Sequence, residues 1–265
     1  MGPSSINRRV ETRVGLIALA DHGAGTPVVL WPSLFSDHRL YDRVRSQLGE
    51  EWRSICIDGP GFGQSEAPKG EVQPGEYADA VLDVLDALEV ERAFVAGCSW
   101  GGQVVAHLGA RAPHRVRGVL IMNAPLGASL GGHAFEVLGT RWLGGTEFWG
   151  GGVARSMLAR ATRDAHPELV KEFAGAFRSF EPRAAAITAR TVLTRFPGLE
   201  RVLPRLVMPT TILMGAEDRL YPVERMLPLA RLAAGARIDV VSSCGHLAPL
   251  EAPEAVIAAL NALKS

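Results

Sequence analysis

The stretch Val95-Ala96-Gly97-Cys98-Ser99-Trp100-Gly101-Gly102 constrains this chain more than any other. Phe94, Val95 and Ala96 read as the end of a buried strand, Gly97-Cys98-Ser99-Trp100-Gly101 fits the pattern G-x-S-x-G, and Gln103 to Arg111 reads as a helix. A strand that turns into a helix this abruptly leaves no room for side chains at 97 and 101, and it forces residue 99 into a strained conformation. The turn lifts the Ser99 hydroxyl above the sheet. It also sets Ser99 at a helix N-terminus, where unpaired N–H groups stabilise negative charge. An incidental serine on a glycine-rich turn fits the pentapeptide equally well, so the rest of the chain has to decide between the two.

Before the turn, Thr12 to Ala20, Pro27 to Trp31 and Arg53 to Asp58 read as strands, the second apolar throughout and suited to burial on both faces. Asp37 is placed to cap a helix ending near Leu48, and Tyr77 to Leu88 has apolar residues at helical spacing. After the turn, Val116 to Met122 is a strand. Leu126 to Leu206 shows no clear strand, only helical patterns (Val153 to Ala161, Pro167 to Phe180, Pro182 to Thr194) among the glycine clusters Gly131-Gly132, Gly144-Gly145 and Gly150-Gly151-Gly152. Met208 to Gly215 resumes the strands, followed by a helix over 223–233, a strand over 237–241 and a final helix over 253–263. Alternating strands and helices predict an α/β fold with a mostly parallel sheet covered on both faces. Residues 1–125 and 207–265 would form its core, with 126–206 as an inserted helical cap. Ligands on such sheets bind beyond the carboxyl ends of the strands.

A serine hydroxyl needs a base to take its proton, and the base needs a third group to hold its tautomer. Both partners stand just past predicted strand ends. Thr211 to Gly215 runs into Ala216-Glu217-Asp218, and Ile238 to Val241 runs into Ser242-Ser243-Cys244-Gly245-His246. The six other histidines of the seven lie in turns, near prolines, on helices or in the helical segment, where a solvated or packed role suffices. Asp218 is preferred to its neighbour Glu217 because it is in register with Gly215 and Pro222. The strand ending at Asn123 offers only an amide, which cannot supply the charge.

Taken together, these features resemble the α/β-hydrolase fold of serine hydrolases over nearly the whole chain. The matching residues are Gly97 to Gly102, Asp58-Gly59-Pro60-Gly61-Phe62-Gly63-Gln64-Ser65, Gly215-Ala216-Glu217-Asp218, and Gly245-His246 followed by Glu251-Ala252-Pro253. The chain order Ser99, Asp218, His246 is the order of that family. The resemblance implies an oxyanion hole made by the N–H groups of Leu34 and Trp100. It also has a departure: Pro32-Ser33 stands where the family usually has His-Gly. A similar Ser-Leu step occurs in members like 3-oxoadipate enol-lactonase, the nearest group by this criterion. The nucleophile at this position is serine, whereas haloalkane dehalogenases and epoxide hydrolases place an aspartate there. Centring the motif on Cys98 puts Ala96 and Trp100 where glycines are needed, so Cys98 reads as a packing residue.

The expectation is a hydrolase of a small carboxylic ester or lactone working through an acyl-enzyme. A carbon–carbon bond hydrolase or cofactor-free perhydrolase would use the same three residues, and a slow-turnover ligand receptor is the reading from another class. Trp142, Phe148 and Trp149, which flank the glycine clusters, are expected to form a mobile aromatic lid, with Phe35, Leu220 and Leu247 completing an apolar pocket. No cofactor and no metal are expected. Lys plus Arg and Asp plus Glu both number 28, which gives no electrostatic case for nucleic acid or an anionic membrane. No apolar run approaches a membrane span, and no apolar core follows Arg8, Arg9 and Arg13 as a signal peptide would require. Three cysteines without metal spacing suit a reducing cytoplasm. Monomer and homo-oligomer are equally compatible with the sequence.

Overall fold

The computed structural model describes residues 5–127 and 134–264, with the backbone alone at Ala134, Phe135 and Glu136; Gly131 and Gly132 lie outside the described residues. In chain order the main elements are β1 (Arg8–Thr12), β2 (Gly15–His22), β3 (Thr26–Trp31), α1 (Asp42–Arg45), β4 (Trp52–Ile57), α2 (Pro74–Ala87), β5 (Ala93–Cys98), α3 (Trp100–Arg111) and β6 (Val116–Met122). Five helices follow without a strand among the described residues: α4 (Ala134–Leu143), α5 (Glu147–Met157), α6 (Arg160–Ala165), α7 (Pro167–Ala176) and α8 (Pro182–Arg195). The chain then runs through β7 (Thr210–Gly215), α9 (Val223–Ala230), β8 (Arg237–Val241), α10 (Ala248–Glu251) and α11 (Pro253–Lys264).

The strands form one sheet in the order β1-β2-β4-β3-β5-β6-β7-β8. β2 pairs antiparallel with both β1 and β4, and every pair from β4–β3 to β7–β8 is parallel. β4 lies on one side of β3 and β5 on the other, so the direction of winding reverses between β3 and β5. That switch opens a crevice beyond the carboxyl ends of these two strands. The central strands β5 and β7 are buried along their whole length, as continuous apolar runs in a parallel sheet require.

Two sequence expectations are corrected at the edges. The strand expected over Thr12 to Ala20 is a hairpin instead: β1 and β2 meet at Arg13-Val14, and Gly15 supplies the turn with φ +113°. The helix expected from Asp37 to Leu48 breaks into a short 3-10 turn at His38–Tyr41 and the single turn α1; Asp37 does cap it, accepting from the Arg39 N–H. The two chain segments that join the helical stretch to the sheet are tied together. Leu199 N donates to the Leu126 carbonyl at 2.7 Å, and Gln103 Nε2 bridges the carbonyls of Pro125 and Pro197 at 3.1 and 3.3 Å.

Candidate active site

Ser99 sits between β5 and α3 with φ +55° and ψ −115°, a conformation that costs a non-glycine residue about 1–3 kcal/mol. The surroundings over-determine it. A Cβ at Gly97 would run into the Gly101 carbonyl, and one at Gly101 into the Trp31 carbonyl at the end of β3. Ser99 N donates to the Met122 carbonyl at 2.7 Å, which anchors the turn to β6. Trp100 is the first residue of α3, where helix geometry leaves the N–H without an intrahelical partner. Its indole is buried and packs edge-on against Trp31 and Tyr77 at centroid distances of 5.5 and 5.1 Å. Leu34 and Phe35 follow β3 across the switch crevice, both buried, with Phe35 at φ +63°.

Asp218 and His246 meet on the same rim. His246 Nδ1 lies 2.8 Å from Asp218 Oδ2, with both side chains essentially buried. The other carboxylate oxygen of Asp218 accepts the N–H groups of Leu220 and Tyr221 at 2.9 and 3.1 Å. Burial works to raise the Asp218 carboxyl, but the His246 charge, the hydrogen bond to it and the two backbone N–H groups together hold it below its ordinary value. An acceptor-only Asp218 obliges His246 Nδ1 to carry the hydrogen of their contact, which leaves Nε2 as the ring nitrogen not engaged by the carboxylate. The Tyr221 ring lies 5.4 Å from the imidazole. Cys98, adjacent to Ser99, donates its Sγ to the His246 carbonyl at 3.4 Å, so the segments of the serine and the histidine are in direct contact.

Glu217, the rival acid, turns away from His246 and accepts the Arg160 N–H at 3.0 Å. Two residues that sequence reasoning did not assign to the site hold this pair. Asn123, at φ +49° just past β6, donates to Asp218 Oδ2 at 3.2 Å and to the Gly245 carbonyl at 2.9 Å. Glu251 accepts the N–H groups of Gly245 and Leu247, which flank His246, at 3.1 and 3.0 Å. The first was visible in the sequence as an amide at a strand end, the second as a glutamate five residues after the histidine.

The aromatic lid is corrected in part. Trp142 and Phe148 are 75% and 83% exposed and face solvent from α4 and α5, so they line no closed pocket. The reason is helical phase. Thr146 caps α5 by accepting from the Trp149 N–H, which makes the glycine run 150–152 part of a regular helix. Successive residues of a helix point about 100° apart, so Trp149, which is buried, leaves Phe148 outside. Leu247 is fully buried, and Leu220 is 42% exposed, reaching Asp218 through its backbone N–H. Phe35 stacks on Phe177 at 6.1 Å and meets Phe62 edge-on at 6.1 Å. It also lines a cavity of about 60 Å³ with Leu40, Phe173, Ala176 and Leu250, with Arg39 and Glu172 on its wall.

Among the described residues, Asp37, His38 and Asp58 are the one cluster whose ligand-type atoms lie within 4.8 Å of one another. Their donors and acceptors are engaged by the protein itself: Asp58 accepts from His38 N, His38 Nδ1 and Gln64 N, and Asp37 is chelated by Arg39. The cluster therefore braces the loops after β3 and β4. All three cysteines are unpaired and buried, and burial, foremost, raises each thiol, that of Cys56 to about 12. No helix among the described residues is long and apolar enough to cross a membrane.

The sheet with its β3–β5 switch, the strained serine and the buried His–Asp pair define an α/β hydrolase. The family model of the alpha/beta hydrolase fold matches residues 26–253, and the chain belongs to that family as one of its hydrolases. It is 28% identical to a 2-hydroxymuconate semialdehyde hydrolase of a Pseudomonas species, with 91% of this chain and 84% of the relative covered. It is 27% identical to a carboxylesterase of Bacillus subtilis, with 93% and 83% covered. Among solved structures, an esterase from Thermogutta terrifontis superposes with a TM-score of 0.86 at 25% identity, covering 96% of both chains. The enol-lactonase from Burkholderia xenovorans superposes with a TM-score of 0.88 at 21% identity, covering 97% of this chain and 99% of that one.

Proposed function

We propose that this protein is a serine hydrolase of small carboxylic esters or lactones. The observation that carries the reading is the buried 2.8 Å pair of His246 Nδ1 and Asp218, in contact through Cys98 with the strained turn that presents Ser99. In this reading Ser99 Oγ attacks the carbonyl carbon while His246 Nε2 takes its proton, and Asp218 stabilises the imidazolium that forms. The negative charge on the carbonyl oxygen falls between the N–H groups of Leu34 and Trp100. Collapse of the adduct breaks the bond to the leaving alkoxide, which receives the proton from His246. Water then repeats the sequence on the acyl-enzyme, with His246 again as base, and frees Ser99.

Residues 126–206 act as a cap over this rim, and the aromatic surface of Phe35, Phe62, Phe177 and Phe180 favours an apolar acyl or alcohol group. The three buried thiols fit a reducing cytoplasm. The likeness to an esterase and a carboxylesterase supports ester cleavage.

A fluorophosphonate probe and a p-nitrophenyl ester test the reading. The probe is expected to label Ser99 stoichiometrically, and the ester to show a burst of nitrophenol followed by steady turnover. Labelling elsewhere, or no turnover of esters and lactones across a series, sinks it. A second reading is favoured by the relative that acts on 2-hydroxymuconate semialdehyde: such a compound contains no ester, so its hydrolysis breaks a carbon–carbon bond. A higher kcat/KM on vinylogous diketones than on aryl esters would select that chemistry.

A further inference from the structure

The carboxylate of Glu251 straddles His246. Oε1 accepts the Leu247 N–H at 3.0 Å, and Oε2 accepts the Gly245 N–H at 3.1 Å. Oε2 also takes two donors from the corner between α5 and α6: the Ala159 N–H and the Thr162 Oγ1 hydroxyl, both at 2.8 Å. Four donors on two oxygens match the capacity of a carboxylate, and no amide or hydroxyl could satisfy them all.

The same corner holds His246 by other routes. His246 N donates to the Met157 carbonyl at 2.7 Å, and Gly245 lies so close to Met157, Leu158 and Ala159 that a Cβ there would strike their backbone. Arg160 N donates to Glu217, the neighbour of Asp218. Both loops that carry the His–Asp pair therefore dock on residues 157–162. If the corner lifts, Glu251 Oε2 loses two of its three donors and His246 N loses its acceptor. The imidazole then keeps Asp218, but its own backbone N–H is unpaired and the carboxylate that holds Gly245 and Leu247 has lost its anchor on the corner.

We propose that Glu251 is a positioning residue that couples the seating of the α5–α6 corner to the pose of His246, so that the base is aligned only while the corner is docked. This rests on the reading of His246 as the base. Nothing else in the site requires a carboxylate at 251: it lies on the backbone side of His246 and binds only main-chain N–H groups and one hydroxyl.

Thr162→Val tests the link from the corner, because it removes one hydroxyl and leaves volume and the loop contacts in place. Glu251→Gln tests the hub, since its amide presents N–H groups where acceptors are needed. The readouts are the low-field proton resonance of His246 Nδ1–H, and kcat and KM for p-nitrophenyl acetate. Wild type and Thr162→Ser are expected to show a sharp resonance and equal kcat within twofold. In Thr162→Val the resonance should broaden and kcat fall at least threefold with KM within twofold. In Glu251→Gln the resonance should vanish and kcat fall at least tenfold. An unchanged resonance and kcat in Thr162→Val overturn the coupling even if Glu251→Gln does not fold. Loss of ester turnover in wild type, with the resonance responding as stated, would instead refute the ester-hydrolase reading and uphold the positioning role.

Discussion

Asn123 Nδ2 reaches Asp218 Oδ2 at 3.2 Å, the same oxygen that faces His246 Nδ1. One carboxylate oxygen thus has two side-chain donors on it, while the other is saturated by backbone N–H groups. The arrangement fixes the rotation of the carboxylate, and the second hydrogen of the amide on the Gly245 carbonyl fixes the histidine loop relative to it. An asparagine is suited to the position twice over, because its backbone is in the left-handed region at φ +49° and asparagine tolerates that region better than other L residues with side chains.

Asn123→Ala should therefore lower kcat/KM on an aryl ester about tenfold and cost about 1–3 kcal/mol in stability, the range for leaving buried polar partners unmet. Asn123→Gly removes the same hydrogen bonds without backbone strain. If Asn123→Gly regains full activity, strain and not the amide is responsible.

The two adjacent acids should separate cleanly. Asp218→Asn removes the charge opposite His246 and offers the wrong tautomer partner, and a loss of roughly 10⁴-fold in kcat is the precedent. Glu217→Gln touches only the Arg160 N–H, and its kcat should stay within tenfold. Steady-state kinetics of the two variants decide the assignment; the reverse ranking would transfer the role to Glu217.

Ser99→Ala should abolish fluorophosphonate labelling while the melting temperature holds or rises. The Ser99 backbone is strained in both proteins, and the hydroxyl is not what holds the turn: the Met122 carbonyl and the glycines do. Intact-mass analysis after probe treatment and a thermal melt check both halves. A fall of more than about 5 °C, roughly 2–3 kcal/mol for a chain of this length, would show that the hydroxyl has a structural partner.

Stability should rise with pH between about 4 and 6.5 through His107. Burial, aided by Arg111 and Arg205, holds its imidazole down at about 4. In that window the unfolded chain binds a proton that the folded chain does not, so stability is fully present above the unfolded value near 6.5 and is lost as pH falls toward 4. With the ring only partly buried, the contribution is about 1–2 kcal/mol. Urea melts at pH 4.5 and 7 should show a smaller difference for His107→Gln than for wild type, and equal differences would discard the assignment.

Trp142→Ala and Phe148→Ala should leave kcat/KM on neutral esters within twofold, since both rings face solvent. Phe177→Ala, by contrast, removes a fully buried ring stacked on Phe35, and a loss of about 3–5 kcal/mol is expected. Kinetics and chemical denaturation of the three variants compare the two predictions. A loss above tenfold in Trp142→Ala would return that ring to the substrate path.

The fold class was legible in the chain, because alternation of apolar runs with helical periods permits few solutions, and because Gly97 and Gly101 are required wherever a strand turns so sharply into a helix. The sequence also placed Asp218 and His246 just past strand ends, and parallel strands send such residues to one rim. What stands around them depends on how distant segments pack. Asn123 could be read as an amide at a strand end, but that its two hydrogens fall on Asp218 and Gly245 depends on β6 lying next to β7. Glu251 and Thr162 are 89 residues apart, and no local pattern reports that they meet. The aromatic stretch 142–149 follows the same rule: composition gives the size and polarity of a side chain, while the face that α5 turns toward α7 decides that Trp149 is buried and Phe148 exposed. Periodicity and turn chemistry are local and therefore legible in the chain; contacts between distant segments exist only once the sheet order and the seating of the helices have brought them together.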